Sequence, residues 1–281
     1  MQRIIKDGIY VKKEYNKEQY WFKSKEDALK INPMIDRNRL IVWNDETFEI
    51  IHSANLLGSR EKVLPPALEK QKELYYLTIP SQLTKYLNEA VFLDELRGLQ
   101  IEDGNLKLKE TTIWRNLIYL SIGGNIFFKK ENLPALRTIV CNYRVGLIDE
   151  LCRYDMFDKL TLQTVNFNVF EEIKNIKSLY GLQILRGKLN SIKGISSIKS
   201  LHWLSLDILP QLNDINELME LKYLEKLEIG YCKHIQNWDF LLRIKTLKEL
   251  TIVASSYKDY PPQKILDNLR NKGVVVPMKG S

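Results

Sequence analysis

The sequence predicts an α/β repeat solenoid, with a sheet of short parallel strands on one side, 3₁₀ turns or short helical pieces on the other, and a distinct cap at each end. Three observations carry this prediction. The motif L-x-x-L-x-[IL], with tolerated substitutes, starts at Leu74, Leu96, Leu117, Leu136, Phe157, Leu179, Leu201, Leu224 and Leu247, at spacings of 22, 21, 19, 21, 22, 22, 23 and 23 residues. Within each start, polar and large aliphatic residues alternate, as in Leu160-Thr161-Leu162 and Leu227-Glu228-Ile229, which is the two-residue period of a strand with one buried face. Behind each strand an apolar residue recurs at every third position, as in Phe167, Phe170, Ile173, Ile176 and again in Leu189, Ile192, Ile195, Ile198. That spacing suits 3₁₀ turns, whose i and i+3 side chains eclipse on one face. One coil cannot bury two such rows alone, but a stack of coils can.

Taken in order, residues 1–73 do not repeat. Residues 9–13 and 19–22 read as a hairpin around Tyr15-Asn16-Lys17, residues 24–31 as a short helix stopped by Pro33, and residues 40–43 and 47–51 as two further strands. This is a small α+β capping region, and the charged, Pro65-Pro66-containing segment 58–66 is its boundary. Residues 74–256 hold about nine coils. The 19-residue coil after Leu117, with Lys130 in place of an aliphatic, is the expected point of irregularity. Residues 257–281 form the C-terminal cap and tail: residues 263–272 read as a helix stopped by Gly273, and Val274, Val275 and Val276 as a last strand that covers the open end of the sheet.

The repeats resemble the leucine-rich repeat family, in particular its 22-residue, internalin-like type with the pattern L-x-x-L-x-L-x-x-N-x-I-x-x-I-x-x-L-x-x-L; residues 179–201 match every aliphatic position of it. The resemblance covers about residues 74–256 and implies a right-handed solenoid with a concave parallel sheet and convex tight turns. One departure is clear. The family's position-nine asparagine, which ties neighbouring backbones together, occurs only as Asn125; Gln82, Gly104, Arg144, Val165, Gly187, Leu209, Cys232 and Ser255 stand elsewhere. Other pairing must replace that amide ladder.

Composition bounds the function. A chain of 281 residues with 44% apolar and 27% charged content can bury a large core without staples. Its first residues mix charge into every short apolar run, so neither a signal peptide nor a transmembrane segment is expected there. Three cysteines without metal-ligand spacing fit a reducing, cytoplasmic compartment. The net charge of +7 is spread over both parts of the chain: residues 1–73 carry 14 basic against 12 acidic residues. No block of like charge occurs, and nucleic-acid binding is not expected.

No phosphate loop is present; Gly123-Gly124 lies inside a repeat, where it permits the turn after a strand. Cys141 falls on an inward strand position and reads as core. The pairs His202 with His234 and Cys232 with His234 are the candidates for chemistry, and a structural role is the expected one for both. The chain is therefore read as non-enzymatic and free of cofactors and metals.

What remains is surface. In this repeat type motif positions three, five and seven point to the concave face. Column three reads Tyr76, Gly98, Tyr119, Thr138, Lys159, Gly181, Trp203, Lys226, Glu249; column five includes Gln100, Ser121, Gln183, Ser205 and Glu228; Asp207 belongs to column seven and Tyr231 borders the face. Tyr76, Tyr119 and Trp203 are the informative members, because a polar sheet surface does not require large aromatics and these types are enriched at binding hot spots. They serve equally well as covers over Gly98 and Gly181. The expected partner set is Tyr76, Gln100, Tyr119, Ser121, Lys159, Gln183, Trp203, Ser205, Asp207, Lys226, Glu228 and Tyr231. The expected function is binding of a folded protein, such as a bacterial toxin held by an inhibitor or immunity protein. The alternative is a recognition or scaffolding subunit of a ubiquitin-ligase or phosphatase type of complex, docked through residues 1–73.

Overall fold

The computed structural model describes residues 74–276 continuously and, before them, residues 2–5, 9–13, 19–22, 53–57, 63–64 and Leu68. The expected helix at 24–31, the strands at 40–43 and 47–51, most of the boundary at 58–66 and the tail at 277–281 lie outside the described residues. The chain forms two compact units, Met1–Leu136 and Arg137–Ser281. The division falls directly after the 19-residue coil.

In the first unit, β1 (Gln2–Ile5), β2 (Ile9–Lys13) and β3 (Gln19–Phe22) pair antiparallel, which includes the expected hairpin. The ladder then becomes parallel through β4 (Ser53–Asn55), β5 (Tyr76–Ile79) and β6 (Gly98–Ile101). β7 (Leu106–Lys107) lies on the return side, and β8 (Tyr119–Ile122) continues the main ladder beside β6. β9 (Ile126–Phe127) pairs with β7 in a separate two-stranded ribbon. Parallel pairing thus begins before Leu74, between β3 and β4.

The second unit is parallel throughout its main ladder: β10 (Thr138–Asn142), β11 (Lys159–Val165), β12 (Gly181–Gly187), β13 (Trp203–Asp207), β14 (Lys226–Gly230) and β15 (Glu249–Val253), each beside the next. The return segments are the tight turns the three-residue spacing predicts. Most are 3₁₀, among them Ser81–Glu89, Ile195–Ser197, Asn216–Glu220 and Asp239–Arg243; two are short helices, α1 (Leu147–Cys152) and α2 (Phe170–Ile173).

The core lies between strand and return. Inward strand residues such as Leu160, Leu162, Leu182, Ile184, Leu204 and Leu206 are wholly buried, as are Leu212 and Leu218 from the returns. Each such side chain contributes about 1.5–3 kcal/mol relative to exposure. Cys141 is buried in the same row, as its position predicts.

The missing asparagines are replaced in two ways. In the second unit, Thr164, Arg186, Ile208 and Tyr231 hold φ between 51° and 64°, and each sits seven residues after its motif start. This left-handed step carries the chain round so that Val165, Leu209 and Cys232 turn inward and are buried. Backbone pairing continues across it: the Ile208 N–H donates to the Gly230 carbonyl at 2.9 Å and the Tyr231 N–H to the Val253 carbonyl at 2.8 Å.

In the first unit, asparagines off the ninth position do the bridging. Asn132, buried, donates to the carbonyls of Lys109 (2.9 Å) and Thr112 (2.7 Å), and Asn88 accepts from the Lys109 N–H at 2.9 Å. Asn125 donates its backbone N–H to the Asn105 amide oxygen at 2.8 Å, so the bridging side chain is that of Asn105. Gly123 and Gly124 permit close approach: an added Cβ would overlap the carbonyl oxygens of Glu102 and Gly104.

At the C-terminal end, α3 (Gln263–Asn271) packs on the turn Asp239–Arg243 and buries Ile265, Leu266 and Leu269. It stops before Gly273, whose φ of 83° is the left-handed stop the sequence predicts. Val275 then pairs with Glu249 as a parallel bridge, donating its N–H to Lys248 and accepting from Leu250. The first residues of the β15 edge are covered in this way.

Candidate protein-binding face

Register alone assembles the face. Parallel pairing places Lys159 beside Gly181, Gly181 beside Trp203, Trp203 beside Lys226 and Lys226 beside Glu249. The same ladder aligns Thr161, Gln183, Ser205, Glu228 and Thr251, two residues further along each strand. In the first unit Tyr76, Gly98 and Tyr119 form one row and Thr78, Gln100 and Ser121 the next. These rows are the columns expected from the motif.

Side-chain packing then differentiates residues that the columns leave equal. Tyr76 lies over Gly98 and remains 49% exposed. Trp203 lies over Gly181, where an added Cβ would meet its Cε3 at 2.6 Å and Lys159 Cγ at 3.2 Å. Both aromatics therefore cover glycine backbone while presenting ring surface to solvent. The Lys159 ammonium stands 5.5 Å from the Trp203 ring, within reach of the ring quadrupole. Trp203 Nε1 is shielded from solvent and makes no hydrogen bond. Tyr119 and Ser121 are half-buried and Gln100 is exposed.

The middle row of the second unit is a hydrogen-bonded chain. The Thr161 hydroxyl donates to Gln183 Oε1 at 3.2 Å, and Gln183 Nε2 donates to the Ser205 hydroxyl at 3.3 Å. Thr161 and Ser205 are 7% and 3% exposed, so these two serve the sheet itself more than its surface. Beyond them Lys226 bridges Glu249 at 2.9 Å and Glu228 at 3.1 Å. The hydrogen bonds to Glu249 and Glu228 hold its ammonium above the ordinary lysine range. Asp207 is half-buried and leans over Gly230, whose missing Cβ its carboxylate would otherwise strike. Tyr231, 47% exposed, is just past the strand in the left-handed position and so borders the face from the strand ends.

Sequence reasoning missed a feature at the strand starts. Tyr180, His202 and Tyr223 stack, with ring centroids 4.8 and 5.6 Å apart and planes within 16°. His202 Nδ1 lies 2.8 Å from the Ser200 carbonyl. Tyr180 and His202 share motif position two, which was a usable signal. Tyr223 precedes Leu224 and so stands two residues ahead of that column, whose member in its coil is Glu225. The stack puts His202 to structural use. Cys232 is buried, with its thiol 3.2 Å from the Gly230 carbonyl, whereas His234 is exposed. Burial pushes the Cys232 thiol up to about 11, away from nucleophilic chemistry. Among the described residues no group of three or more His, Cys, Asp and Glu could hold a metal ion, and no helix is long and apolar enough to cross a membrane.

A strand and a tight return, repeated near a 22-residue period with inward leucines in register, is the leucine-rich repeat fold. No family model and no curated protein matches the chain. Among solved structures it is similar to an internalin from Listeria monocytogenes, at 15% identity and a TM-score of 0.48 over 80% of this chain. It is also similar to a leucine-rich repeat protein from Leptospira interrogans, at 19% identity and a TM-score of 0.46 over 81% of this chain. The chain spans 65% and 66% of the lengths of those two proteins.

Proposed function

We propose that this protein is a non-enzymatic binding module that holds a folded protein partner against its strand face. The observation that supports this best is the row Lys159, Gly181, Trp203, Lys226, where a tryptophan and a lysine share the open side of a sheet whose other side is already a complete core. Core formation accounts for the inward residues and asks nothing of this row. Occlusion of a partner's working surface is the mode of action such a face serves, and inhibition of a toxin is its sharper form.

The test begins with affinity capture and mass spectrometry to obtain a partner, followed by calorimetric titration of the purified pair. Trp203→Ala and Tyr119→Ala, each measured separately, are expected to weaken binding more than tenfold, about 1.4 kcal/mol, with unchanged melting curves. Unaltered affinity in both removes the strand face as the interface. Cross-links of the full-length complex that map to residues 1–73 in place of the strands support the docking-subunit alternative. For the inhibitor form, the captured partner must lose its own activity in the complex.

A further inference from the structure

Resting on that reading, we infer that the Lys159–Trp203 corner of the face takes a carboxylate, supplied by an aspartate or glutamate side chain of the protein partner. Two donors without acceptors belong to this corner. The Lys159 side chain is exposed and touches the Trp203 ring, with its ammonium 5.5 Å from the ring centroid and no carboxylate paired to it among the described residues. The other cation of the row, Lys226, is already held between Glu228 and Glu249. Trp203 Nε1 is the one buried side-chain nitrogen or oxygen without a hydrogen-bond partner among the described residues. Such an orphan donor is costly, and native structures satisfy nearly all of them.

Gly181 makes the corner possible. With no Cβ beneath, Trp203 and Lys159 both fold over the β12 backbone and lie against each other. A carboxylate that pairs with the Lys159 ammonium sits beside the indole; Nε1 is covered and lies on the ring edge away from the Cε3 that meets Gly181, so the ring must turn that edge outward to offer Nε1–H as a second donor. Hydrogen bonds to a charged acceptor are roughly twice as strong as neutral ones, so the exposed Lys159 ammonium reads charge and not merely polarity. The remainder of the face sets the orientation. Asp207, Glu228 and Glu249 outnumber Lys226 toward β14 and β15, and they repel an acidic group that approaches there. The partner's acid therefore lands on the β11 to β13 side.

The experiment follows the tryptophan indole N–H resonances of the ¹⁵N-labelled full-length chain, with Trp203 assigned from its disappearance in Trp203→Phe. A capped Gly-Glu-Glu-Glu-Gly peptide is titrated in, and its Gln-substituted counterpart serves as control. The acidic peptide is expected to move the Trp203 resonance saturably at millimolar concentration, and the Gln peptide to move it at least fivefold less. Lys159→Gln should abolish the shift, Lys159→Arg should keep it, and Lys193→Gln, on the return side of the coil, should leave it unchanged. Absence of a shift, an equal response to the Gln peptide, or a shift that survives Lys159→Gln overturns the inference. If the peptide fails while Trp203→Ala still weakens the captured complex, the strand-face reading stands and only the carboxylate falls.

Discussion

Gly181 and Gly187 lie at the two ends of β12 and lack a side chain for different reasons. At Gly181 an added Cβ meets the edge of an aromatic ring that can shift; at Gly187 it overlaps the Val165 backbone carbonyl oxygen, which is pinned in the ladder. Gly187→Ala should therefore cost more than about 2 kcal/mol in urea denaturation, while Gly181→Ala costs less but displaces Trp203, read as a change in its fluorescence with the fold intact. The cysteines give a second prediction at this scale. Burial pushes the Cys141 thiol up to about 12 and that of Cys232 up to about 11, against about 9 for a free thiol. Because the folded values are the raised ones, the native state binds more protons than the unfolded chain above pH 9. Stability should be flat with respect to these groups below pH 9 and fall from there to about pH 12. Urea midpoints at pH 7.5, 9.5 and 10.5 check this, and Cys141→Ala should flatten the decline.

At the scale of the element, the left-handed step at the ends of β11 to β14 is the least expected feature. Gly and Asn are the residues suited to positive φ, yet the four positions hold Thr164, Arg186, Ile208 and Tyr231. Nothing in those identities signals the turn; it is imposed because the following residue must reach the core and the N–H must find the next strand. A branched residue there costs roughly 1–2 kcal/mol. Thr164 is exposed, so Thr164→Asn should relieve strain without loss of packing and raise stability by roughly 1 kcal/mol, measured as a shift in denaturation midpoint. The strands themselves were legible because alternation has a strict two-residue period. So were the returns, whose every-third spacing matches the 3₁₀ turns found. The Tyr180–His202–Tyr223 stack was not, since Tyr223 stands ahead of its motif start, two residues from the column that holds Tyr180 and His202.

For the molecule as a whole, a stack of coils has ends, and ends expose core. The C-terminal one is closed by α3 and by Val275 on the edge of β15. Removal of residues 263–281 uncovers Phe240 and Leu241 behind α3, and leaves unpaired the Lys248 carbonyl and the Leu250 N–H that Val275 satisfies. The truncated chain should self-associate where the full chain does not, measured by light scattering coupled to size exclusion.

The repeat period, read without coordinates, was enough to place Lys159, Gly181, Trp203 and Lys226 side by side, because stacked coils of near-equal length leave one register that buries every inward leucine. Which of those neighbours remain available to a partner was decided only in three dimensions. Ser205 disappears into a hydrogen-bonded chain, Lys226 is neutralised by two glutamates, and Trp203 lies over a glycine with Lys159 against it. Each outcome depends on side-chain conformations chosen among groups about 22 residues apart in sequence, and a pattern of residue types does not contain those choices.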